Sequence, residues 1–68
     1  MKVIKFRLCE ELIEMFPLED FVYIACIDGE KTTVYWNDDG CKEEESYSSQ
    51  YVKQNLKNGV WAEIQDAS

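Results

Sequence analysis

The sequence contains no histidine, one proline, three glycines, and only seven lysines and arginines against fourteen aspartates and glutamates. Without histidine, the commonest acid-base group and the commonest metal ligand are gone, which excludes most small hydrolases and zinc modules. Three scattered glycines provide no phosphate-cradling loop, and no serine or cysteine can be activated by a histidine base. No apolar run approaches the ~20 residues needed to span a bilayer, and the first residues lack the apolar stretch of a secretory signal, so the expected location is the cytoplasm. The three cysteines, Cys9, Cys26 and Cys41, are odd in number and widely spaced, with no C-x-x-C pair. They read as reduced thiols, Cys26 within a buried apolar run and Cys41 exposed after a turn.

What is present is enough for a folded core. The 68 residues are 46% hydrophobic, 13% aromatic and 31% charged, too apolar for a disordered chain and long enough for one domain over residues 1–68. The formal net charge of −7 sets up a field that repels phosphate, which argues against direct nucleic-acid binding.

Local patterns predict a small α+β domain. Ile4, Phe6 and Leu8 alternate with Lys5 and Arg7, the period of a half-buried strand. Leu8, Leu12, Met15 and Phe16 then follow helical spacing with Glu10, Glu11 and Glu14 opposite, until Pro17 ends the helix. Residues 20–28, rich in aromatic and β-branched side chains, lead through Asp28-Gly29 into Thr32-Thr33-Val34-Tyr35-Trp36, a hairpin. Asn37-Asp38-Asp39-Gly40 is turn chemistry, and residues 42–46 read as a solvated acidic run. Ser48 is placed to cap a helix with a stripe of Tyr47, Tyr51, Val52 and Leu56, stopped by Gly59, before a last strand at residues 60–64. The predicted architecture is a three- to four-stranded, mainly antiparallel sheet with two short helices. Its β-α-β-β-α-β order is that of a ferredoxin-like split βαβ. If the opening strand does not pair in parallel, a three-stranded antiparallel sheet with helices on one face is the simpler outcome.

Twelve of the fourteen acids fall in residues 9–30 and 38–45. Aligning Gly40 with the invariant glycine of an EF-hand loop puts Tyr35 at the first ligand position and Ser46 at the twelfth, so a calcium loop fails at both ends. Paired-carboxylate catalysis needs a pocket and a raised pKa, for which solvated runs give no support. No catalytic role, metal or cofactor is therefore expected. The remaining reading is an acidic binding face built from Asp38, Asp39, Glu43, Glu44 and Glu45, joined by Glu10, Glu11 and Glu14 if the helix shares that side. Trp36 beside Asp38 and Asp39 is the candidate hot spot.

The tail Tyr47-Ser48, Val52, Leu56-Lys57-Asn58-Gly59-Val60-Trp61-Ala62-Glu63-Ile64 resembles the ends of small phage-encoded proteins, in which a short helix, a glycine turn and a Trp-bearing strand close the domain. Acidic anti-CRISPR proteins are similar in length and charge. That resemblance implies a protein that binds and blocks a host enzyme or nucleoprotein without catalysis, and it assigns no residue a role. The sequence thus predicts a non-enzymatic inhibitor that occupies a basic surface in place of nucleic acid. The alternative is a small structural or accessory domain, a homodimer formed through a sheet edge or an aromatic patch.

Overall fold

The computed structural model describes residues 1–65. It is an α+β domain with strands β1 (Lys2–Leu8), β2 (Tyr23–Asp28), β3 (Lys31–Asp38), β4 (Cys41–Ser48) and β5 (Trp61–Ile64). Helix α1 (Glu10–Met15) and a 3-10 turn (Pro17–Glu19) lie between β1 and β2, and helix α2 (Ser49–Lys57) lies between β4 and β5. The sheet order is β4-β3-β2-β1-β5, and every neighbouring pair is antiparallel.

This corrects the expected strand count and order. The run over residues 42–46 is not a solvated loop but part of β4, paired with β3 from Lys31↔Ser48 to Asp38↔Cys41. As an edge strand exposed on both sides it does not need alternating apolar residues, so its charges hid it. The split βαβ arrangement does not form. Residues 9–22 connect neighbouring antiparallel strands, which needs no parallel crossover.

Two tight turns build the three-stranded meander. Gly29, φ 62°, takes the first central position of the β2–β3 turn, while Asp39 and Gly40, φ 51° and 87°, form the β3–β4 turn with both residues left-handed. The side-chain oxygen of Asn37 accepts the Gly40 N–H at 2.9 Å, closing the second turn.

Strand parity sorts the sheet into two sides. Ile4, Phe6, Ala25, Val34 and Trp61 face inward and form the buried core with Val52 of α2. Ser48 caps α2 as expected, its hydroxyl accepting the Tyr51 N–H at 3.1 Å. Tyr47, however, belongs to β4 and packs against the core from the sheet, and Tyr51 is exposed, so Val52 and Leu56 are the residues of the expected stripe that turn toward the core from α2. Helix α1 covers less than its spacing predicted. Pro17 stops it after six residues, none buried, and leaves Met15 and Phe16 exposed. Cys41 is exposed and Cys26 half-buried, and all three thiols are free. No described helix is long and apolar enough to cross a membrane.

One buried polar contact docks α2 on the sheet. The Thr32 and Ser49 hydroxyls lie 2.8 Å apart out of solvent, and the Ser49 N–H donates to the Glu30 carbonyl at 2.8 Å. Ser49→Ala leaves the Thr32 hydroxyl buried alone and should cost about 1–2 kcal/mol in urea unfolding, whereas the double variant Thr32→Val/Ser49→Ala should recover most of that loss.

Candidate functional site

The inward face is only partly roofed. The open part is a cleft of about 590 Å³ between Tyr51 of α2 and the segment carrying Leu18, Glu19 and Phe21, floored by the sheet. Seven of the chain's nine aromatic residues line it.

Register explains how distant residues meet there. Phe6 lies opposite Glu63 on one side and Tyr23 on the other. The row continues through Trp36, whose ring is 5.5 Å from that of Tyr23, to Glu43, the register partner of Trp36 on β4. Three aromatic rings thus span the three central strands, with a carboxylate at each edge. The rings form a continuous network. Phe6 stacks on Tyr23 at 5.1 Å and on Trp61 at 4.4 Å. Tyr47 stacks on Tyr51 at 5.4 Å, and both meet Trp61 edge-on. Such contacts each add about 0.5–1.5 kcal/mol beyond area burial, so the walls are pre-formed.

Negative charge surrounds these rings. Glu19 and Asp38 line the cleft, and no lysine or arginine does. Glu45, opposite Val34, lies on the same side of β4 as Glu43. The field reaches the tyrosine hydroxyls. Burial, followed by Glu19, Tyr47 and Asp20, pushes the Tyr23 phenol above its usual value, and burial, Glu45, Tyr51 and Glu19 do the same to Tyr47. The Tyr23 hydroxyl donates to the Glu19 carbonyl at 2.9 Å, holding the acidic lip in place. On its other flank Asp20 pairs with Arg7 at 2.6 Å.

The sequence-predicted residues divide among three places. Trp36, Asp38, Glu43 and Glu45 belong to the cleft or its edge, and Asp39 occupies the adjoining turn. Glu44, between Glu43 and Glu45, points to the opposite side of the sheet because strand neighbours alternate. Glu10 and Glu14 line a separate depression with Arg7, Ala62 and Ile64 at the β1–β5 edge, far from β4 in the strand order, and Glu11 is exposed on the same helix. The helix and the acidic strand therefore do not build one site. The sequence reading missed Glu19, Phe21, Tyr23 and Tyr51, because their meeting depends on register and on the 3-10 turn. The two tryptophans also part company: Trp61 is buried core, while Trp36 is half-buried against the cleft.

Aromatic faces carry negative quadrupoles, so a ring-lined hollow bordered by carboxylates stabilises a cation with an apolar stem. Among the described residues no group of three or more Cys, Asp or Glu is gathered to hold a metal ion.

The tyrosine shifts have a pH consequence. Both folded pKa values are raised, so the stability they confer is complete below pH 10.0 and is lost as pH climbs through the folded values. Spectrophotometric titration should show a late-ionising component that Tyr23→Phe and Tyr47→Phe each reduce, and alkaline unfolding should shift upward in both variants.

No family model, curated protein or solved structure matches this chain.

Proposed function

We propose that the protein is a non-enzymatic binding protein of the cytoplasm that seats basic side chains of a partner protein in its aromatic cleft. The observation that carries this reading is the cleft itself, with seven aromatic residues, Glu19 and Asp38 at its lip and no basic group in its lining. Arginine is the best-fitting occupant. Its planar guanidinium stacks on aromatic faces, stays charged, is weakly hydrated and can bridge to carboxylates. A cation over a ring contributes about 0.5–2 kcal/mol, and an exposed ion pair about 0.2–1 kcal/mol. One inserted arginine therefore gives selectivity, and useful affinity requires further contacts along Glu43, Glu45 and Asp39. A basic surface made to hold nucleic-acid phosphates supplies such arginines at close spacing. A host nucleic-acid-binding protein is thus the fitting partner class, with inhibition by occupancy as the outcome.

Self-association through a sheet edge is less well supported. An antiparallel β4–β4 pairing centred on Glu44 brings Glu43 against Glu45 and Glu44 against itself, a stack of like charges that disfavours the contact.

The test uses an arginine-rich peptide and charge-matched variants at low protein concentration. Glu43→Lys and Glu44→Lys change the net charge equally but act on opposite sides of β4. Glu43→Lys and Trp36→Ala should each weaken binding about tenfold or more, roughly 1.4 kcal/mol, while Glu44→Lys should change it little. Equal losses in the two lysine variants would reduce the attraction to net charge and overturn the reading.

A further inference from the structure

The side of the sheet away from α2 is apolar at its centre and open. Strand alternation sends Val3, Ile24, Cys26, Thr33, Tyr35 and Ile64 to this side, where Val3 is 56%, Tyr35 41% and Ile24 37% exposed. Its charge also differs from that of the whole molecule. Lys5, Arg7, Lys31 and Lys42 project here from the strands against Asp28 and Glu44, with Asp20 paired to Arg7 and Glu10 and Glu14 beside Arg7 and Ile64 at the β1–β5 edge, in a chain of net charge −7.

Register orders these groups. Lys5, Ile24, Tyr35 and Glu44 stand in one row across β1, β2, β3 and β4. Over these four strands a cation and a carboxylate flank two apolar residues, so this part of the row is complementary to itself when turned over, while Ile64 on β5 continues the row past Lys5 and lies outside the overlap. Within one chain the two charges stand three strand spacings apart, roughly 14 Å, too far to pair. We infer that this face docks a second copy of the chain. A twofold axis along the strands, between β2 and β3, lays Ile24 on Tyr35 of the second copy and sets Lys5 opposite Glu44 of the second copy, with both contacts repeated by symmetry. The same operation closes the uncharged neighbouring row of Val3, Cys26, Thr33 and Ser46, placing Cys26 over Thr33 of the second copy, and sets Asp28 opposite Lys31 of the second copy. At the other end it brings Arg7 opposite Lys42 of the second copy, a like-charge contact that the Arg7–Asp20 pair offsets.

The face measures roughly 24 by 20 Å from strand spacing and rise. That is below the ~800 Å² per partner of standard interfaces, so dissociation is expected on the order of tens of micromolar. The cleft lies on the other side of the sheet and stays open in such a dimer. This inference is therefore independent of the binding function above.

Sedimentation equilibrium over about 5–500 µM protein at low salt tests it. The wild-type mass should rise from monomer to dimer across that range. Lys5→Glu and Glu44→Lys, both at exposed positions, should each raise the dissociation constant about tenfold, and the double swap should return it to within about threefold of wild type. Glu43→Lys, on the opposite side of β4, should leave it unchanged. A wild-type mass that stays monomeric, single swaps without effect, a double swap no tighter than the singles, or a Glu43→Lys loss equal to that of Glu44→Lys would each overturn the interface.

Discussion

The constraint behind the rest of this structure is the passage of the chain from one edge of the sheet to the other. Strand β4 and strand β5 occupy opposite edges, about 19 Å apart across four strand spacings, and the chain bridges them with a nine-residue helix about 13–14 Å long. That helix starts where Ser49 meets Thr32. It roofs the part of the inward face around Ile4, Ile27 and Thr32, and leaves the part around Tyr23 and Trp36 without a helix above it. A longer helix or a second one would bury that remainder as ordinary core. Here Pro17 truncates α1, and the 3-10 turn supplies only a lip. The aromatic residues that would have been core instead become the floor and walls of a cleft.

Charge placement follows from the same geometry. An edge strand exposed on both sides must avoid pairing with other edges, and Glu43, Glu44 and Glu45 in succession serve that need on β4. Alternation then divides their effects. Glu43 and Glu45 add negative potential beside the aromatic cleft, while Glu44 becomes the lone acid at its end of the opposite face. The large net charge is therefore unevenly distributed. One side of the sheet is aromatic and acidic, the other apolar at its centre with basic and acidic side chains both present around it, and a single strand contributes to both.

Much of this was legible from local chemistry. Asp28-Gly29 between β-rich runs located the β2–β3 hairpin, Ser48 located the start of α2, and Gly59 its end, because turns and caps are decided by a few neighbouring residues. The strand over residues 41–48 was not legible, since solvent on both sides removes the apolar alternation and Lys42-Glu43-Glu44-Glu45 looks like any solvated run. Trp36 and Asp38 stand out in the sequence as neighbours of consequence, yet the cleft they belong to draws Phe6 from β1, Tyr23 from β2, Glu19 from a 3-10 turn and Tyr51 from α2. Parity within each strand can be read from sequence. The row that aligns Phe6, Tyr23, Trp36 and Glu43 exists only once the pairing register is fixed. For the same reason the acids of α1 and β4 could be counted together in sequence, although the fold sets them at opposite edges.

The most direct test of the account is residue-resolved. In a two-dimensional amide NMR titration with an arginine-rich peptide, the account predicts shifts concentrated at the Trp36 indole N–H and at the amides of Glu19, Tyr23, Asp38 and Glu43, with Val3, Ile24 and Tyr35 on the other face unmoved. Shifts centred on Glu10, Glu11 and Glu14, or spread evenly over every acidic residue, would contradict it.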